Sequence, residues 1–194
     1  MLFLAHCPSC GATHGGWCAA CWNVLVNAPV IHRAGIVVSH EYAGAMRELI
    51  VALKYSSARW VVPMLADLWV ARHGDVCDVD VVTWVPTTRR RMRERGYDQS
   101  ELIARRVARR LGVRCLATLR RIDDEAQTGR SARERRAGAQ FIARRTRYAR
   151  ILVIDDVVTT GTTLRHAVDA LCESGARAVT SAAIAATPPP EARR

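Results

Sequence analysis

A chain of 194 residues can bury a real core but is too short for two full domains, so it should carry one main site. Hydrophobic residues make up 49% and charged residues 24%, which excludes a disordered, collagenous or coiled-coil chain. Lys and Arg together number 29 against 18 Asp and Glu, a formal net charge of +11 in which Lys54 is the only lysine, and such an excess favours polyanionic partners, phosphates or nucleic acid.

No stretch reaches the roughly 18–20 uninterrupted apolar residues of a membrane helix. The apolar opening Met1 to Ala5 stops at His6-Cys7 without a preceding positive charge, so a cytoplasmic protein without membrane insertion is expected. Of the seven cysteines, four fall in two close pairs, and Cys77, Cys115 and Cys172 stand singly as small core or loop residues. That pattern fits cytosolic metal binding better than a secreted disulfide scaffold.

Residues 1 to 28 show no helical period and no long alternation, so something other than a core must hold them. Cys7-Pro8-Ser9-Cys10 and Cys18-Ala19-Ala20-Cys21 are C-x2-C pairs seven residues apart, a spacing at which four thiolates close a tetrahedron around Zn²⁺. Gly11, Gly15 and Gly16 permit the tight turns, and the metal would supply the folding free energy. A structural zinc at Cys7, Cys10, Cys18 and Cys21 is expected, since four thiolates leave no open position for catalysis. A redox dithiol, an iron–sulfur centre, or replacement of one ligand by His6 or His14 are the alternatives. Trp17 and Trp22 would shield the knuckle, or stack bases beside a basic surface.

Residues 34–40 are β-branched and read as a strand, and Met46, Leu49, Ile50 and Leu53 recur at helical spacing within a helix over 43–54. A second helix is predicted over 59–72. Residues 79–85 form a short buried strand ended by Pro86, and 87–97 reads as an arginine-dense loop. Asp98 or Ser100 caps the next helix, in which Leu102, Ile103, Val107 and Leu111 face the core before Gly112 ends it. A short strand follows at 113–116. Residues 120–147 are polar and lack a clean period, which predicts a long mobile segment with at most one helix, and Asp123-Asp124-Glu125 reads as a solvated turn. Ile151-Leu152-Val153-Ile154 is a buried strand, 155–161 a turn, and Leu164, Ala167, Val168, Leu171 and Cys172 a helix stripe that leaves His166 on the surface. Gly175 ends that helix, 177–185 is a last strand, and 187–194 a loose tail. Alternating strands and helices predict an α/β fold, a mostly parallel sheet with helices on both faces. The expected division is a four-Cys segment at 1–33, the α/β domain at 34–187 and a tail at 188–194.

Asp155 and Asp156 stand at the carboxyl end of the strand before Thr159, where open α/β sheets bind ligands. The turn Thr159-Thr160-Gly161-Thr162-Thr163 opens onto a helix, so backbone N–H groups, the helix dipole and hydroxyls converge to hold a phosphate monoester. The carboxylates suit vicinal sugar hydroxyls, or Mg²⁺ held through water. A 5-phosphorylated ribose satisfies both halves at once. No Gly-Lys-Ser/Thr follows the glycine, which excludes a P-loop of the usual form. An ordinary acidic helix cap would need one acid, not this array.

This array resembles the phosphoribosyl pyrophosphate (PRPP) signature of type I phosphoribosyltransferases. In Arg89, Arg90 and Arg91 the preceding segment offers guanidinium groups that neutralise a pyrophosphate bidentately; as a basic patch it would instead contact a nucleic-acid backbone. The order of motifs is similar to that of the ComF family, phosphoribosyltransferase-like proteins linked to DNA uptake in competent bacteria and including GntX proteins. The matching residues are Cys7 to Cys21, Leu53-Lys54-Tyr55, Val85-Pro86, Arg95-Gly96-Tyr97-Asp98-Gln99, Gln127 with Arg135, and Ile154 to Gly161. Asp98 and Arg136 depart from the family, which has Asn at both places, in loops that the resemblance puts at the pyrophosphate or over the site.

The resemblance implies a type I phosphoribosyltransferase fold with the zinc segment and residues 34–40 as a hood for an unknown acceptor. It implies Mg²⁺-PRPP as ligand, with Asp155 and Asp156 as catalytic residues on the ribose, Thr159, Thr160, Gly161, Thr162 and Thr163 on the 5-phosphate, and Arg89, Arg90 and Arg91 on the pyrophosphate. Lys54 would reach the phosphates or act as a helix-dipole partner. The alternative function is a non-catalytic single-stranded DNA-binding accessory protein that keeps the fold.

Overall fold

The computed structural model describes residues 6–7, 9–13, 16–29, 31–33, 35–76, 78–122, 139–145 and 147–188. The described strands are β1 (Ile31–Arg33), β2 (Ile36–Glu41), β3 (Val81–Trp84), β4 (Arg114–Cys115), β5 (Leu119–Arg121), β6 (Phe141–Ala143), β7 (Arg150–Val158) and β8 (Ala178–Ala186). The helices are α1 (Ala19–Val26), α2 (Gly44–Tyr55), α3 (Val62–His73), α4 (Arg89–Arg95), α5 (Gln99–Leu111) and α6 (Thr162–Glu173). One sheet runs β1-β2-β8-β7-β3-β4, parallel throughout except where β1 pairs antiparallel with β2.

The apolar run at the start of β7 divides its side chains between two cores, as a strand buried on both faces must. Leu152 and Ile154 pack with α2, α3 and α5 through Leu49, Leu53, Leu65, Trp69 and Ile103. Ile151 and Val153 pack with α6 through Leu164, Ala167 and Leu171. Helices therefore cover both faces, and Asp98 and Gly112 cap α5 at its two ends, the glycine at φ 71°.

Four local expectations are corrected. β7 is nine residues long and pairs with β8 as far as Val158↔Ala186, so Asp155 and Asp156 belong to the strand and the turn starts only at Thr159. Small alanines along β8 let this pairing run past the apolar stretch. The arginine-dense segment is a helix rather than a loop: the Thr88 hydroxyl accepts from Arg91 N at 3.2 Å, Arg90 pairs with Glu94 at 2.7 Å, and Gly96 closes it at φ 75°. Residues 120–147 are not loop throughout: they include the end of β5 and all of β6, which pair antiparallel over three residues each, too short to show a period. The N-terminal segment contains α1, invisible to periodicity since it buries only Leu25. The stretch offered as part of a hood supplies β2, an inner strand between β1 and β8. The expectations for His14, Gly15, Cys77, Asp123-Asp124-Glu125, Gln127, Arg135, Arg136 and residues 189–194 lie outside the described residues.

Candidate functional site

The carboxyl ends of β7 and β3, the end of α2 and the start of α5 meet around the two adjacent carboxylates. Lys54, the last-turn residue of α2, sets its ammonium 3.1 and 3.0 Å from the two carboxylate oxygens of Asp156. Both partners are largely buried, with 16% and 12% of their side chains exposed, so this ion pair is shielded rather than a screened surface contact. The Ser100 hydroxyl donates to Asp155 Oδ1 at 3.0 Å, and the backbone N–H of Asp156 donates to the same oxygen at 2.8 Å. Burial, followed by the neighbouring Asp156 charge, pushes the Asp155 carboxyl up to about 7; these two hydrogen bonds and Lys54 pull the other way.

Asp98 supports this cluster from behind. Its Oδ1 accepts from Ser100 N at 3.0 Å and Glu101 N at 3.3 Å, and its Oδ2 accepts from Thr87 N at 2.8 Å. Asp98 is thus a buried helix cap, 4% exposed, tying α5 to the segment after β3. Burial pushes its carboxyl up to about 6 against the pull of the three N–H donors. Sequence reading missed Ser100 as a partner of Asp155. The signal available was its place two residues after the capping Asp98, where a hydroxyl in the first turn faces the neighbouring strand. Beside it Gln99 is buried, and among the described residues its side-chain nitrogen finds no acceptor.

Directly after β7, Gly161 sits at φ 78° as the N-cap residue of α6. The Thr160 and Thr162 hydroxyls lie 3.0 Å apart, and Arg165 donates to Thr162 Oγ1 at 2.9 Å. A cavity of about 460 Å³ opens along the turn, lined among others by Thr159, Thr160, Gly161, Arg33, Arg165 and Ser181, but not by the two aspartates. The turn thus joins an N–H-rich helix start to guanidinium groups, the chemistry of an anion site. The structure brings Asp155, Asp156, Lys54 and the threonine turn to one end of the sheet. Arg89, Arg90 and Arg91 stand exposed on α4, which leaves the same end behind β3. His166 is half-buried rather than free on the surface: its Nδ1 lies 2.6 Å from Ala139 O, so it fastens α6 to the residues before β6.

The four paired cysteines form a second centre. Their Sγ atoms all lie within 4.8 Å of one another, and Cys10 and Cys18 are 3.6 Å apart. Sulfurs around a tetrahedral Zn²⁺ at about 2.3 Å are separated by about 3.8 Å, so the donor set fits such an ion. Burial disfavours the Cys7 thiolate, but N–H donors from Cys18, Cys10 and Ser9 outweigh it and bring its pKa down to about 6.

This centre is fastened to the main sheet at the far end of α1. The Arg72 guanidinium donates to the carbonyls of Ser39, Leu25, Val26 and Ala28 at 2.7–3.2 Å, and His40 Nε2 lies 2.9 Å from Leu25 O. Burial holds the His40 imidazole down at about 4, so it is neutral and donates from Nε2 at ordinary pH. Arg72→Ala strips these carbonyls of their charged donor and is expected to cost about 2–4 kcal/mol, with Arg72→Lys recovering only part; urea unfolding of both variants measures this.

The phosphoribosyl transferase domain family model matches residues 98–193. Competence protein F of Haemophilus influenzae is 26% identical over 175 residues, covering 83% of this chain and 76% of that protein. DNA utilization protein YhgH of Escherichia coli K12 is 30% identical over 196 residues, covering 89% and 80%. The solved orotate phosphoribosyltransferase from Aeropyrum pernix matches at 19% identity and a TM-score of 0.41, over 75% of this chain and 78% of that one. Sheet order and family model together give the type I phosphoribosyltransferase fold.

Proposed function

Because the chain belongs to the ComF family, we propose that it binds Mg²⁺-PRPP at the carboxyl end of β7 and transfers the phosphoribosyl group to an acceptor. The observation that carries this reading is the continuity of two unlike halves: a largely buried, partnered carboxylate pair near the end of a strand, followed at once by an anion-binding turn on a helix start.

Asp155 and Asp156 accept hydrogen bonds from the ribose hydroxyls, while the N–H groups and hydroxyls of Thr159, Thr160, Gly161, Thr162 and Thr163 hold the 5-phosphate. Arg89, Arg90 and Arg91 face the pyrophosphate and offset the charge that builds on it as the bond to the anomeric carbon breaks. The leaving oxygen keeps the electron pair, the acceptor's lone pair forms the new bond, and the acceptor loses a proton. Magnesium, when bound with PRPP, neutralises part of the pyrophosphate charge. Positioning and electrostatics supply the acceleration. Zinc at the four cysteines is a folding element in this reading, outside the reaction.

Ligand-induced stabilisation tests it: saturating Mg²⁺-PRPP raises the melting temperature by several degrees, as any ligand of the native state does, and Gly161→Val removes the rise. At Gly161 a Cβ would meet Ile36 Cδ1 at 3.0 Å in a backbone region that suits glycine. No shift for the folded wild-type protein would refute the site.

A second reading, nucleic-acid binding, draws on the net charge of +11 and on the names of the relatives, competence and DNA utilization. It does not compete for the carboxylate site and can hold alongside the first.

A further inference from the structure

Arginines on this surface are commonly neutralised where they stand. Arg90 pairs with Glu94, Arg105 with Glu101, Arg106 and Arg110 with Asp67, and Arg150 with Asp78 and Asp80. Others have no ion-pair partner among the described residues, and four of these gather at one place. A groove of about 660 Å³ is lined by Arg114, Arg144, Arg145 and Arg147 together with Thr118 and Tyr148, and among the described residues no acidic one lines it. The four arginines are exposed, and among the described residues their guanidinium groups have no ion-pair partner. They arrive from separate segments: Arg114 begins the sheet-edge strand β4, Arg144 and Arg145 follow β6, and Arg147 precedes β7. The backbone bond from Arg144 N to Thr118 O, 2.8 Å long, continues the β5–β6 pairing and holds Arg144 beside the residues that follow β4.

We propose that this groove is a track for the phosphodiester backbone of a single nucleic-acid strand. Four unneutralised guanidinium groups on one concavity match a run of single negative charges spaced along a chain, and they add to a whole-molecule charge that attracts polyanions from a distance. A flexible single strand can bend to bring successive phosphates to groups gathered on one concavity, which a stiff duplex does less readily. Tyr148 adds a ring of the kind on which bases stack. The contacts are to the backbone, so the site is indifferent to sequence.

The groove is separate from the carboxylate site. Arg114 pairs with Val81, whose other neighbour is Ile151 near the amino end of β7, four residues or about 13 Å along the strand from Asp155. The inference rests on the nucleic-acid reading and not on PRPP binding, and the two fail separately.

The test is fluorescence anisotropy of a labelled 20-mer of thymidylate, titrated with the zinc-loaded full chain over a series of salt concentrations. The Arg114→Ala/Arg144→Ala/Arg145→Ala/Arg147→Ala variant is expected to bind at least about tenfold more weakly and to lose about 3 from the slope of log affinity against log salt, at ~0.7 per phosphate contact. A charge-matched variant with Arg47, Arg93, Arg109 and Arg177 changed to Ala should keep the slope within about 1 of wild type. Replacing the four groove arginines by lysine should restore most of the slope, which separates charge from misfolding. Asp155→Asn/Asp156→Asn should bind the strand as wild type does. Failure of the wild type to bind the oligomer at low salt, or equal loss in the charge-matched variant, would overturn the proposal. So would a nucleoside triphosphate that binds the groove as tightly as the oligomer, since that describes a mononucleotide site.

Discussion

Stripping metal from the four-cysteine centre, by a strong chelator or by Cys10→Ser with Cys21→Ser, is expected to unfold the N-terminal segment and lower the melting temperature of the whole chain by about 10 °C or more. The segment buries little apolar surface of its own, so a metal held by the four cysteines would supply its folding free energy. The loss then spreads along a defined route. Leu25 at the end of α1 is in the same core cluster as Met46, Leu49 and Trp69, Trp17 and Trp22 pack against that cluster, and Arg72 and His40 hold the carbonyls at the helix end. Trp17 and Trp22 provide the optical signal, since release from the core shifts their emission to the red. An unchanged melting curve and emission after complete metal removal would show that the segment is held by packing alone.

Asp155→Asn is expected to do two opposite things. It should abolish affinity for Mg²⁺-PRPP, because an amide cannot replace a carboxylate toward two sugar hydroxyls, and it should stabilise the unliganded protein at alkaline pH. Burial and the adjacent Asp156 raise the Asp155 carboxyl to about 7 in the folded state, above the ordinary carboxylate value near 4. The folded state therefore binds the proton more tightly than the unfolded state, and stability falls as pH rises from about 4 to about 7. Asp98, raised to about 6, adds to the same slope. Asparagine keeps an oxygen that accepts from Ser100 Oγ and Asp156 N but carries no charge. A gain of roughly 2 kcal/mol, or about 4–8 °C, is expected at pH 8, shrinking to nothing near pH 4. Melting curves of wild type and variant across that range check the sign; a variant less stable than wild type at pH 8 would show that the Asp155 charge is well solvated or well paired.

Much of this was legible in the residues because the signals were local. The acid pair, the threonine turn and the C-x2-C spacing each carry their chemistry within a dozen positions. The buried stripes of α2, α5 and α6 show in their periods. What stayed hidden depended on partners distant in sequence. Ser100 reaches Asp155 only because α5 packs against β7, and the Lys54 pairing with Asp156 spans 102 positions. The strand character of Asp155 to Val158 is set by the alanines of β8, which no local pattern announces. α4 was concealed by its arginines, which read as a loop until the Thr88 cap and the Gly96 stop are placed at its ends. Asp98 showed its capping role in sequence, yet not that it also clamps Thr87.

The most direct test of PRPP binding at the end of β7 is calorimetric titration of the zinc-loaded protein with PRPP in the presence of Mg²⁺, beside the Asp155→Asn/Asp156→Asn variant. Binding in the micromolar range by wild type, lost in a variant that is still folded, is the predicted result. Heat that is absent from the wild type, or unchanged in the variant, would contradict a site built on these two carboxylates.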